Sequence, residues 1–331
     1  MNHSGEANIV ELKTGNLFAL AGLVIASLLS APALSQGKNL TPLKVILFSP
    51  DTGVAVAQAR GLFAAEGVEP QMIQTRSSTQ QMRGLSQGTY DIALTAFDNV
   101  LAWSGKEGAE IVALAQREDE VTLPLFVRPE IRTLGELKGR KLAVDAVDTA
   151  YAFVLRKLLL PSGLDFKRGD YQLIAAGAPA ERVASMKRGE TYAGIINIPW
   201  DAQARSEGMV PFIYDTDFLK GYVASVIAVN RAWAQSHRKE VIGFLRAWRS
   251  ALQWLRTADH DAARKLVMTQ AKVNPQAASR MLETVSKDGA INVSGAKQVL
   301  DLRSQFAGRP PKGTDLKAYI DTSYFDAAAP R

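Results

Sequence analysis

The chain spells strand then helix several times over, pauses, and then spells it again. LKVILFS (43–49) is a continuous apolar β run, and VAVAQARGLFAAEG (54–67) is a helix closed at Gly67. VEPQMIQT (68–75) predicts the next strand and STQQMRGLSQG (78–88) a helix closed at Gly88. YDIALTA (90–96) as strand, a short helix over 97–106 and IVALAQR (111–117) as strand complete the first round. After LPLFVRPE (123–130) and a turn-rich connector, a second round runs through strands at 141–146, 171–176, 192–198 and 209–215, with helices at 149–163, 178–189 and 200–208. The grammar repeats without the sequence repeating. Strands alternating with helices imply parallel sheets covered on both faces, so the expectation is two α/β units.

From YVASVIAVN (222–230) onward the character turns helical. EVIGFLRAWRSALQWLR (240–256) places Val241, Phe244, Leu245, Trp248, Leu252 and Leu255 on one stripe, with Arg246, Arg249, Gln253 and Arg256 opposite. That spacing reads as a helix packed on a domain, with a solvated basic face. At 331 residues and 47% hydrophobic, the chain is long enough for two cored units.

The N-terminal segment carries an address. LFALAGLVIASLLSA (17–31) is one apolar run, short for a bilayer span, and Ala33-Leu34-Ser35 before Gln36 fits the small-x-small pattern of signal peptidase. Glu6 and Glu11 against Lys13 depart from the positive charge that such a signal normally leads with. The expectation is a signal peptide over 1–35, cleaved within 33–36, and a soluble exported chain with no later membrane span.

Several chemistries are missing. There is no cysteine, which excludes disulfides, thiolate metal sites and cysteine nucleophiles. The histidines are His3, His237 and His260, without the spacing of a zinc motif. No nucleophile elbow, phosphate loop or dinucleotide fingerprint is present, so no catalytic set, metal or cofactor is expected. The net charge of +6 is spread among acids, without the basic stripe or arm of a nucleic-acid binder.

What remains is polar residues at strand ends. In open α/β sheets, ligands sit beyond the C-terminal ends of the strands. Ser49 and Asp51 follow the first strand, and Ser77, Ser78 and Thr79 follow the second. Phe97, Asp98 and Asn99 end a third strand; Asp145, Asp148, Thr149 and Tyr151 follow one in the second unit; Asn197, Trp200 and Asp201 flank another. The polar ones are also placed to cap helices, Ser77 with Gln80 as a capping box and Asp98 and Asp148 as N-caps, although Asp145 precedes its cap by three residues. Phe97, Tyr151 and Trp200 fit a core equally well.

The runs ARGLFAAEGVEP, STQQMRGLSQGTYDIALTAFDNVLAW, TLGELKGRKLAVDAVDTAYAFVLRKLL and KRGETYAGIINIPWDAQARSEG, in that order, resemble the periplasmic substrate-binding proteins of ABC importers. The resemblance is to the nitrate/sulfonate/taurine and thiamine-pyrimidine-precursor group and covers residues 44–215 best. It implies an α/β, two-lobed type-2 periplasmic binding protein fold with two hinge crossovers, near 122–128 and 222–229, and a helical C-terminal segment. Lobe 1 would comprise 43–122 and 228–331, and lobe 2 would comprise 123–227. It further implies a small-molecule ligand held by the strand-end residues named above, an ABC importer permease as partner, a monomer, and the periplasm as location. Without a cysteine at the mature start, no lipid anchor is expected. Enzymes share this fold, pyrimidine-precursor synthases and menaquinone-pathway enzymes among them. The absence of histidine between Gln36 and Ser236 argues for binding over catalysis. A periplasmic sensor partner without a transporter is the other alternative.

The candidate loops bring Asp51, Asp98, Asp145, Asp148 and Asp201 together with no arginine or lysine among them. Like charges about 4 Å apart repel by about 4 kcal/mol at an effective dielectric near 20. A neutral or cationic nitrogen compound is therefore expected over a simple anion, stacked on Phe97, Tyr151 or Trp200.

Overall fold

The first round of the alternation folds as β1 (Thr41–Leu47), α1 (Thr52–Ala59), α2 (Leu62–Ala65), β2 (Val68–Gln74), α3 (Ser78–Ser86), β3 (Ile92–Ala96), α4 (Phe97–Trp103) and β4 (Ile111–Gln116). These ranges come from a computed structural model that describes residues 39–213 and 217–331. The expected signal peptide lies outside the described residues.

The second round gives β5 (Leu125–Val127), β6 (Lys141–Val144), α5 (Ala150–Leu159), β7 (Gln172–Ala175), α6 (Pro179–Lys187), β8 (Ala193–Ile195), α7 (Trp200–Ser206) and β9 (Val210–Ile213). The remainder is β10 (Ser225–Asn230), then α8 (Arg231–Ser236), α9 (Arg238–Leu255), α10 (His260–Ala271), α11 (Pro275–Thr284), α12 (Val293–Ala307) and α13 (Ser323–Ala327).

Two five-stranded sheets result, in the orders β2-β1-β3-β10-β4 and β7-β6-β8-β5-β9. Each has a parallel core of three strands and one strand that runs against its neighbours. In the first sheet that strand is β10, paired antiparallel with β3 and β4; in the second it is β5, paired antiparallel with β8 and β9. Both arrive directly after the chain has passed from one sheet to the other, between β4 and β5 and again between β9 and β10. The sheets are therefore mixed, where alternation alone predicted parallel ones. Periodicity sees strand and helix but not strand direction. Pro70 and Pro211 fall on β2 and β9, both edge strands, where a missing N–H interrupts no ladder.

Burial follows the two-residue period of the strands. In the first sheet Val45, Leu47, Ile92 and Leu94 face a core completed by α1 and α9, with Phe244 and Trp248 fully buried. Ile46 and Ala93 face the opposite core, filled by Met82 and Leu85 of α3 and by Phe97, Val100 and Leu101 of α4. That second core runs on into the second sheet through Leu125, Leu142 and Val144, with α12 packed against both α4 and α5. The other face of the second sheet has a small core of Phe126, Val183, Met186, Ile196, Ala204 and Met209.

The stripe on α9 is buried as expected apart from the half-buried Leu255, and its basic face is only partly left to solvent: Gln253 and Arg256 are exposed, while Arg246 and Arg249 are engaged. Arg246 pairs with Glu66 at 2.8 Å and donates to the carbonyls of Ala327 and Ala329; Arg249 donates to Phe325 O at 2.7 Å. The C-terminal tail covers the Arg246 and Arg249 part of that face. Among the described residues no helix is long and apolar enough to cross a membrane.

Candidate ligand-binding site

The loops at the C-terminal ends of β1, β3, β6 and β8 open onto one cleft between the sheets, enclosing about 1080 Å³ with its mouth included. Its walls come from both lobes, and its polar groups are held by an internal hydrogen-bond lattice.

Asp51 is the N-cap of α1, and its Oδ1 accepts from Val54 N at 2.7 Å. The same oxygen accepts from Trp248 Nε1 at 3.0 Å, while Oδ2 pairs with Arg117 Nε at 2.7 Å. Arg117 also donates from Nη1 to Ser225 Oγ at 2.5 Å. One buried carboxylate thus joins the first helix, the end of β4 and the C-terminal helices. On the second-lobe side, Asp145 accepts from Thr149 Oγ1 at 2.7 Å and, across the cleft, from Ser78 Oγ at 2.5 Å. Asn99 donates to Ser78 Oγ at 3.4 Å and to Thr95 Oγ1 at 3.0 Å, and Thr95 donates to Gln81 Oε1 at 2.7 Å. Tyr151 and Asn197 complete the wall.

Eight of the fifteen strand-end residues singled out from the sequence line this cleft: Ser49, Asp51, Ser78, Asn99, Asp145, Thr149, Tyr151 and Asn197. Seven do not, for identifiable reasons. Ser77 spends its hydroxyl capping α3, accepting from Gln80 N at 3.4 Å. Thr79 and Asp148 are exposed, and the cap of α5 is Thr149. Phe97 is fully buried in the core behind the loop. Asp98 turns the other way into an ion pair with Arg303 Nη1 at 2.8 Å. Trp200 lines a neighbouring groove and reaches the cleft only through its indole, which donates to Ser49 Oγ at 3.1 Å. Asp201 likewise faces Arg280, whose Nη2 donates to its Oδ1 at 2.9 Å.

The expectation of carboxylates without cationic partners is corrected. Arg117 and Arg182 both line the cleft, alongside Glu118 and Glu120. Arg182 sits on α6 among Pro179, Val183 and Met186, all buried. An arginine on the apolar stripe of a helix was the visible signal. Arg117 closes the wholly buried strand IVALAQ, where a charge directly after an apolar run gave a similar hint.

Electrostatics follow burial. Desolvation pushes the Glu118 carboxyl above its ordinary value, against the pull of Arg117. Desolvation likewise holds the Tyr151 phenol well above the usual range, with Glu118 adding to the effect and Arg182 opposing it. Glu118, Arg182 and Tyr151 therefore share one field. The cleft offers fixed charges of both signs, hydroxyls and an aromatic ring, arranged to hold a small polar molecule.

A family model described as NMT1/THI5 like matches residues 50–262. No curated protein matches the chain. Solved structures do. A protein of Bordetella bronchiseptica RB50 superposes with a TM-score of 0.74 at 20% identity, covering 88% of this chain and 97% of that one. The nitrate-binding protein NrtA of Synechocystis PCC 6803 gives 0.71 at 15% identity, covering 87% and 88%. The alkanesulfonate-binding protein SsuA of Xanthomonas axonopodis pv. citri, bound to MOPS, gives 0.69 at 16% identity, covering 85% and 99%. At these identities the likeness is one of fold: two lobes, each an α/β sheet, of the type-2 periplasmic binding class.

Proposed function

The chain belongs to the NMT1/THI5-like family, and from that premise we propose that it is a substrate-binding receptor that delivers a small organic molecule to an ABC importer. It binds and does not transform its ligand. The two lobes close on the molecule, and the closed complex presents itself to the permease. The observation that carries this reading is the cleft itself: one polar cavity walled by the strand-end loops of both sheets and bridged by Ser78 and Asp145. Structural neighbours described as nitrate- and alkanesulfonate-binding proteins support the class. On this reading the chain works in the periplasm as a monomer, after removal of a signal peptide near residues 33–36.

The ligand is a neutral or cationic nitrogen compound. Asp51, Glu118, Glu120 and Asp145 line the cleft against Arg117 and Arg182, four carboxylates to two guanidiniums. Arg117 is already committed to Asp51. A simple anion would face a surplus of negative charge in a partly desolvated space.

The test is a thermal-shift screen of the mature chain, followed by calorimetry with aminopyrimidines and primary amines against ethanesulfonate, a simple anion without an amine. A ligand at a hundred times its Kd raises stability by about 2.7 kcal/mol. Binding of the nitrogen compounds but not ethanesulfonate is the expected result. Tight ethanesulfonate binding would overturn the ligand class, and turnover of a bound compound would overturn the receptor reading. Mass spectrometry of the periplasmic fraction checks export: a chain that still begins at Met1 would refute it.

A further inference from the structure

Arg182 is a charged group of the cleft whose hydrogen bonds do not close among the described residues. The residue is 2% exposed, yet its Nε and Nη2 have no partner among the described residues. Its nearest carboxylate is Asp145, 4.0 Å from Nη1 and beyond hydrogen-bond reach. Asp145 is in any case occupied by Ser78 and Thr149. The Tyr151 ring lies 6.0 Å from the guanidinium carbon, so one side of the group is shielded by an aromatic wall. Buried polar groups are normally satisfied, and a planar guanidinium with two donor nitrogens open is matched to a planar acceptor such as a carboxylate or a heteroaromatic nitrogen edge.

The cleft also has the complementary feature. Glu118 follows β4 at the start of the crossover, lines the cavity, and its carboxylate accepts no hydrogen bond among the described residues. Arg117 beside it is turned to Asp51 and Ser225. Arg182 is carried by lobe 2 and Glu118 by the end of the first sheet, so the two open groups belong to different walls.

We propose that the ligand is bipolar, placing a hydrogen-bond acceptor or carboxylate on Arg182 and an amine or N–H donor on Glu118, so that it bridges the two lobes. This rests on the nitrogenous-ligand reading above and narrows it: a donor alone fills half of the site. A net-neutral zwitterion meets both requirements, as does an amino-substituted heterocycle with an adjacent ring nitrogen. Arg182 then acts as the specificity-determining residue, rewarding the acceptor end.

Calorimetry with two matched series tests this. In one, butylamine is compared with 4-aminobutanoate; in the other, aniline is compared with 4-aminopyrimidine. In at least one series the compound carrying both groups should bind about tenfold tighter or more, a difference of about 1.4 kcal/mol. Arg182→Gln should erase that gain, so that the two members of the series bind alike, and Glu118→Gln should weaken both. Urea denaturation monitors folding of the variants. If Arg182→Gln does not fold, Arg182→Lys, which keeps the charge and loses the fork, should cut the gain severalfold. Equal binding within both series, or a gain that survives loss of the guanidinium, would overturn the proposal while leaving the nitrogenous-ligand reading intact. No binding in either series would remove that reading and this one together.

Discussion

The Trp248 indole donates to Asp51 Oδ1 at 3.0 Å, tying α9 to the loop after β1 across 197 residues of chain. The carboxylate also caps α1 and pairs with Arg117, so it is a structural hub as much as a wall of the cleft. Asp51→Ala should leave a buried guanidinium with only Ser225 for company and destabilise the protein by about 3–5 kcal/mol. The exposed Lys297–Asp301 pair is the control: Asp301→Ala should cost at most about 1 kcal/mol. Urea midpoints for the two variants measure both, and similar losses would show that the Asp51 network is no more than a surface pair.

Gly53, two residues into the same turn, lies against the face of Trp248. A methyl group there would run into the indole Nε1 and Cδ1. Gly53→Ala should therefore destabilise by about 1–3 kcal/mol through overpacking, although alanine is the better helix former. A urea midpoint at or above that of the wild type would mean that the ring moves aside without loss.

These contacts explain which parts of the molecule were legible in its sequence. The alternation of strands and helices was, because periods of 2 and 3.6 are written in neighbouring residues. The strand-end loops were also visible, since polar residues there interrupt apolar runs. Which side chain enters the cleft was not. Asp51 and Asp98 look alike as helix starters, and their fates are set by Arg117 and Arg303, which stand 66 and 205 residues away. Arg182 and Arg117 were both on the page as arginines in or beside apolar stripes. Nothing local said that they face a cavity and not solvent.

Asp98 gives a pH signature. Burial raises its pKa from 3.8 to about 6, with Arg303 pulling the other way. The folded state thus keeps a proton that the unfolded chain releases, and the native state binds more protons between about pH 4 and pH 6. Its contribution to stability is therefore greatest below that window, falls as pH rises through it and is flat above. The unfolding free energy of wild type relative to Asp98→Asn should drop by on the order of 1–3 kcal/mol from about pH 4 to about pH 6. A constant or rising difference in urea titrations across that range would contradict it.

The final prediction concerns the closed state. Among the contacts that span the two lobes are Ser78 to Asp145, Trp200 to Ser49, and Arg280 to Asp201. The last joins α11 to α7, and Asp201 is fully buried in it. It lies outside the lining of the cleft, so on the two-lobe closure proposed above it should act on the balance between open and closed lobes and not on the ligand directly. A ligand whose competent state is less populated binds more weakly by that same fraction. Asp201→Asn keeps the shape of the side chain and removes its charge. It should enlarge the radius of gyration of the unliganded protein in small-angle scattering, and saturating ligand should bring the radius back to the wild-type closed value. Affinity for any ligand found by the thermal-shift screen should fall by about tenfold, mainly through faster dissociation. If radius and affinity both match wild type, the ion pair is not a latch. If the radius of the wild type itself does not change on saturation, the lobes do not close on their ligand at all.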